Sequence, residues 1–275
     1  MATDSNDVPS PTISKLFCAP DADISFVSSD NILYKLHSVH LKTSSDVLGA
    51  SKYARSDATQ LPERARILQT LFQFIEPPPE ERKHRQPSVL GMEEVMFFSL
   101  AEAAEKYVIY GAMNTCLTRM PTLISSHPFQ VLNHCAKYKY WDMADDAAQK
   151  CLDEPNTLNE AVLKLTAPDV LPQWLLYYNA WHKAGREASD IFSKYLDKNS
   201  RCHMWPHFYA AYIRQLETHP RMITSVRSDP KNKVPCSIAN CTCRSLDSKN
   251  ESFGPPRWIH EIEMLEKGVR KFGNF

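Results

Sequence analysis

The chain has 275 residues, enough for one large domain or two small ones with a buried core. Hydrophobic residues make up 43% and charged residues 23%, the make-up of an ordinary soluble globular protein. With 32 basic and 32 acidic side chains the formal net charge is zero, so no overall field draws the chain to nucleic acid or anionic lipid.

No run of about 20 apolar residues is present, and the opening MATDSNDVPSPTISK lacks the basic and apolar regions of a secretory signal. A cytoplasmic or nuclear location is expected. In that setting the 8 cysteines read as reduced thiols or metal ligands rather than as a disulfide framework. The sequons at Asn240 and Asn250 have no meaning without secretion. Seven glycines against nineteen prolines disfavour glycine-rich phosphate loops and suggest helices stopped by proline.

Residues 1–17 are polar, with Pro9 and Pro11, and are expected to be disordered; Ile13, Leu16 and Phe17 allow one helical turn at most. In the stretch 21–48, Ile24 and Phe26 alternate with polar neighbours, and Ser28-Ser29-Asp30-Asn31 forms a turn cluster. Leu33, Tyr34 and Leu36 make a second apolar run, and Ser44 or Ser45 offers an N-cap. That order predicts strand, turn, strand and then a helix start. A short third strand is expected over 57–61. From Pro62 a helix follows, with Leu68, Leu71, Phe72 and Ile75 on one face, until Pro77-Pro78-Pro79 ends it. The segment EERKHRQPS reads as a solvated loop, with a localisation signal as the sharper alternative. Phe97, Leu100, Ala101, Ala104 and Val108 form the next stripe, with Glu102 and Lys106 an i, i+4 pair; Met113, Cys116, Leu117 and Met120 form another, closed by Pro121.

The segments Asp21-Ala22-Asp23-Ile24-Ser25-Phe26-Val27 and Tyr34-Lys35-Leu36-His37-Ser38-Val39-His40-Leu41 resemble the opening of a BTB/POZ domain, in particular that of BTB proteins of fungal type. Leu61-Pro62-Glu63, Leu71-Phe72-Gln73-Phe74-Ile75 with Pro77, and Leu100 through Tyr107 follow in the order that family gives. The resemblance covers residues 18–122. It implies an α+β fold, a small BTB/POZ-like sheet flanked by helices and followed by an all-α C-terminal region. It also implies that Asp23, Phe26, Tyr34, His37 and Leu41 are structural residues, with His37 at a strand-to-helix corner. The role implied is a non-enzymatic protein–protein interaction module, a scaffold or adaptor whose partner is another BTB domain or a cullin scaffold. A small-molecule substrate, a membrane and a cofactor are not expected, and nucleic acid is disfavoured. Many animal BTB domains swap a helix that precedes the first strand to form a dimer; with one turn expected at most around Ile13, Leu16 and Phe17, the resemblance does not extend to that swapped dimer, and self-association stays open.

Residues 123–217 read as helical. Val131, Cys135 and Tyr138 form one stripe; Trp141, Ala144, Ala148 and Cys151 a second; Leu158, Ala161, Val162 and Leu165 a third. A longer helix from Asp169 carries Val170, Trp174, Tyr177, Trp181, Ala184, Ala188 and Phe192. Residues 218–255 break this pattern with turn formers and cysteines. A last helix, 256–275, presents Trp258, Ile262, Leu265, Val269 and Phe272, and must pack on the helical region.

The strongest chemical signal is Cys236-x4-Cys241-x-Cys243, with Cys202, His203 and His207 upstream. Thiolates and imidazoles bind zinc, so Cys236, Cys241, Cys243 and His203 are a candidate metal set, against the plainer reading of loop thiols without a common partner. Two other classes stay open. One is an enzyme in which scattered Cys and His converge. The other is a transcription or chromatin regulator whose zinc-stabilised loop contacts DNA through Arg221, Arg227, Lys231, Lys233 and Arg244. No nucleotide-binding, metalloprotease or serine-hydrolase signature is present. His37 is expected to be a satisfied, partly buried residue and His40 a surface one.

Overall fold

The apolar alternation of Ile24 and Phe26 against Tyr34 and Leu36 produces an antiparallel hairpin. Strands β2 (Ile24–Val27) and β3 (Ile32–Leu36) pair with Phe26 opposite Tyr34. Its turn closes with Asn31 in the left-handed region, φ 63°, a conformation asparagine tolerates. Ser28 supports it by accepting the Ile32 amide at 3.0 Å through its hydroxyl. The computed structural model describes residues 10–49, 58–76, 86–154, 157–198, 210 and 257–275. By its internal contacts the chain divides into two units, Met1–Thr122 and Leu123–Phe275.

In the first unit the sheet has the order β1-β3-β2-β4. β1 (Thr12–Cys18) runs parallel to β3 and β4 (Thr59–Gln60) parallel to β2. β1 corrects the expectation of disorder up to residue 17: residues 12–18 are a strand. Only Ser14 and Phe17 of its side chains are buried, so the segment looks polar although its backbone bonds to β3. Helix α1 (Ser38–Ser44) starts directly after β3, not at Ser44 or Ser45. Ser45 lies beyond its end, where the hydroxyl donates to the Tyr107 carbonyl at 2.6 Å and accepts the Leu48 amide at 2.9 Å.

Helix α2 (Ala65–Phe72) buries Leu68, Leu71 and Phe72, as the spacing predicts. Its first amide, Ala65 N–H, donates to the Asp30 carboxylate of the hairpin turn at 2.7 Å, and the Tyr34 hydroxyl donates to the Ala65 carbonyl at 2.8 Å. Phe72 sits among Phe17, Phe26 and Tyr34, with ring centroids 6.0, 5.7 and 5.2 Å away. These rings join both inner strands, β1 and α2 into one core.

Helices α3 (Glu94–Tyr107) and α4 (Tyr110–Arg119) complete the unit. Phe97, Leu100, Ala101 and Ala104 are buried as predicted, whereas Val108 caps α3 in the left-handed region at φ 50° instead of continuing its stripe. Lys106 reaches across to Glu63 at 2.7 Å, and the Tyr107 hydroxyl donates to the other Glu63 oxygen at 2.5 Å. Arg119 is buried, its guanidinium donating to the Val89 and Met92 carbonyls at 2.5 and 2.8 Å and lying 4.5 Å from the Phe97 ring. Carbonyls and a ring face satisfy this cation.

The second unit is helical among the described residues. α5 (Pro128–Lys137) and α6 (Trp141–Cys151) pack as a hairpin through Val131, Leu132, Cys135, Ala144, Ala147 and Ala148. α7 (Thr157–Lys164) faces inward through Thr157 and Ala161, and Leu165 just beyond it is buried; Ala161 and Leu165 of the predicted stripe are thus inside, while Leu158 and Val162 are exposed. α8 (Val170–Lys198) buries Val170, Trp174, Tyr177, Trp181, Ala184 and Ala188 in the predicted order. α9 (Arg257–Gly268) packs on α8 and buries Ile262. Phe272 is not on that helix: it opens a 3₁₀ turn, Phe272–Asn274, and is fully buried against Tyr177. The turn is held by the Gly273 amide donating to the Asp145 carboxylate at 2.9 Å and by Gln173 donating to the Phe272 carbonyl at 3.0 Å. Among the described residues no helix is long and apolar enough to cross a membrane.

Candidate functional site

The residues singled out in the strand–turn–strand stretch come together at one corner. Phe26, Tyr34 and Leu41 form its interior, with no exposed surface. Burial, with a smaller push from the Asp30 charge, raises the Tyr34 phenol to about 12, so it stays a hydrogen-bond donor. Asp23, just ahead of β2, accepts both the Ser38 amide at 2.7 Å and the Ser38 hydroxyl at 2.6 Å. His37 precedes α1 in an extended conformation and makes no side-chain cap, so Asp23 supplies from 15 residues upstream the carboxylate that a local N-cap would have given. The Ser38 hydroxyl bond, then its amide bond, hold the Asp23 carboxyl below the usual carboxylate range.

Beside this cap lies the densest cluster of ligating side chains found among the described residues: His37, His40 and Glu76, whose donor atoms all lie within 4.8 Å of one another. Residues 37 and 40 share a face because they are three apart at a helix start. Glu76 arrives from the turn after α2, where its amide donates to the Phe72 carbonyl at 2.9 Å. One Glu76 oxygen accepts the His37 backbone amide at 2.7 Å. The other lies 3.2 Å from His37 Nδ1 and 2.9 Å from His40 Nδ1. His37 Nε2 lies 3.4 Å from the Asp21 carboxylate. The hydrogen bond to Glu76 is the main cause that raises the His37 imidazole above its ordinary value; burial opposes it, and the charge of Glu76 with the hydrogen bond and charge of Asp21 add to the rise. The rings meet edge to face with centroids 5.3 Å apart.

His37 thus sits at the strand-to-helix corner, and His40, expected as a surface residue, is drawn into the same carboxylate. The His-x2-His spacing was visible in the sequence, but Glu76 was not, because it reaches the pair across 36 and 39 residues. Cys236, Cys241, Cys243 and His203, with the basic residues of the same loop, lie outside the described residues. The described thiols divide by environment. Cys18 is exposed and Cys116, Cys135 and Cys151 are buried; burial pushes Cys116 up to about 12 and Cys151 well above its ordinary value, so these two thiols remain protonated and unreactive. His182 on α8 is held below its ordinary value by burial, with Arg186 adding to the effect, and packs on Tyr178 at 4.2 Å. No protein-family model matches the chain, and no curated protein matches its sequence.

Proposed function

We propose that the first unit is a BTB/POZ-like protein-interaction module of fungal type and that the chain works by binding other polypeptides rather than by catalysis. The observation that carries this reading is the convergence of Asp23, Phe26, Tyr34, His37 and Leu41 on one strand-to-helix corner. These are the positions on which the resemblance was drawn, and they act there as cap, core and corner residue. From β2 onward the order strand, strand, helix, short strand, helix and helical hairpin supports the same reading. The corner residues serve the fold, so the contact surface must be sought elsewhere on the unit. Exposed apolar side chains such as Val39 on α1 and Val95 on α3, at 61% and 72% exposure, are available to it.

Within this reading the narrower role is that of substrate adaptor for a cullin-type ubiquitin ligase. The packed α5–α6 hairpin that follows the first unit favours it, because such an adaptor needs a helix pair after the BTB-like domain. Retention of the full chain on an immobilised cullin N-terminal domain at micromolar concentration is the expected result. Loss of that retention in Val39→Asp or Val95→Asp would place the surface on α1 or α3. No retention of the parent chain ends the adaptor role while leaving other protein partners to be tested.

A further inference from the structure

The arrangement of His37, His40 and Glu76 is more than a pair of hydrogen bonds. A zinc ion held at about 2.0–2.1 Å from tetrahedral nitrogen and oxygen ligands sets those ligands about 3.3 Å apart. The two imidazole-to-carboxylate spacings, 3.2 and 2.9 Å, are already within a few tenths of an ångström of that edge. We propose that His37 Nδ1, His40 Nδ1 and a Glu76 oxygen form a three-ligand site for a divalent transition-metal ion of the zinc class, with water in the fourth position.

Three further observations support it. Glu76 is oriented before any ion arrives, because its second oxygen is fixed by the His37 amide at 2.7 Å. If His37 ligates through Nδ1, its Nε2 carries the proton and faces the Asp21 carboxylate at 3.4 Å, the outer partner that metal-bound histidines usually have. The side chains of His37 and His40 are 25% and 32% exposed and that of Glu76 13%, so an ion has an approach from solvent while its carboxylate is sheltered. The charge balance is also favourable. Two neutral imidazoles and the Glu76 carboxylate ligate the dication, with the carboxylates of Asp21 and Asp23 close to His37. Imidazole and carboxylate donors suit zinc, cobalt, nickel and ferrous ions rather than calcium or magnesium. On binding, the ion takes the place of the direct imidazole-to-Glu76 contacts. It joins the start of α1 to the turn that follows α2, so it should raise the stability of the first unit by linkage. The proposal stands on the geometry of these residues and does not depend on the family reading.

The test uses the full chain carrying Cys236→Ser, Cys241→Ser and Cys243→Ser, which removes the three thiols of the other ligand set named from the sequence. Cobalt(II) and zinc(II) are titrated by calorimetry and visible absorption, with circular dichroism to verify folding. The expected result is one ion per chain, with cobalt ligand-field bands and no thiolate charge-transfer band. His40→Ala and Glu76→Gln are each expected to weaken binding at least tenfold. Glu76→Gln keeps an oxygen for the His37 amide and His40→Ala removes only a half-exposed ring, so both variants should fold. Asp21→Asn, which touches only the outer partner, is expected to weaken binding about tenfold with the stoichiometry and spectrum kept. Absence of cobalt binding to the triple serine chain, or binding unchanged by both His40→Ala and Glu76→Gln, would overturn the proposal.

Discussion

Phe72 is the side chain whose loss should most directly reveal how the first unit is held together. It is fully buried and its ring meets those of Phe17, Phe26 and Tyr34 at 6.0, 5.7 and 5.2 Å. Truncation to alanine removes the burial and leaves a cavity, a cost of about 3–5 kcal/mol. Leucine keeps much of the apolar volume and its packing against the three rings, losing only the ring-on-ring geometry, so Phe72→Leu should cost about 1–2 kcal/mol. Hydrogen exchange read by mass spectrometry separates the two units peptide by peptide. At about tenfold per 1.4 kcal/mol, the amides of β2 and β3 should lose about a hundredfold to a few thousandfold of protection in Phe72→Ala and about tenfold in Phe72→Leu. Equal, small losses in the two variants would mean that the four rings are not the centre of this core.

Two other perturbations probe the corner. The Asp23 carboxyl is held below its ordinary value by the Ser38 bonds, so its stabilising contribution is complete above the unfolded-state pKa of about 3.9 and disappears as the pH falls through the lower folded-state value. Thermal melts of the parent chain and Asp23→Asn should therefore differ at a pH of about 6 and converge at a pH of about 2; a gap that widened on acidification would refute the assignment. Gly49→Ala should destabilise by about 1–3 kcal/mol in urea unfolding, because a Cβ there would meet the Ser45 carbonyl at 2.7 Å, the Lys42 Cα at 2.8 Å and the Leu41 carbonyl at 2.9 Å, all backbone atoms. An unchanged midpoint would show that the turn after α1 relaxes freely.

What was legible in the sequence was what depends on local period. The β2–β3 hairpin could be read because Ile24, Phe26, Tyr34 and Leu36 alternate, and the inward face of α8 because Val170, Trp174, Tyr177, Trp181, Ala184 and Ala188 recur by threes and fours. What was not legible depends on partners far along the chain. β1 has Ile13 and Leu16 exposed and only two inward side chains, so nothing in its pattern announces a strand; its order comes from backbone pairing with β3. The start of α1 was misplaced because its capping carboxylate is Asp23 on another element, while Ser45, which looks like a cap, serves Tyr107 and Leu48. On α7 the apolar Leu158 and Val162 face outward, and Thr157 turns inward because its hydroxyl reaches the Cys151 carbonyl at 3.3 Å. Glu76 completes the His37–His40 cluster from the turn after a different helix, a meeting that spacing alone could not reveal.

The account depends most on the claim that the first unit exists to bind another polypeptide, either a second BTB-like domain or a cullin scaffold. Sedimentation velocity of the full 31.4 kDa chain, alone and with a cullin N-terminal domain at micromolar concentration, tests it most directly. The account predicts a species heavier than the single chain, by self-association or by complex formation. Two independent monomer boundaries, unchanged by mixing, would contradict it.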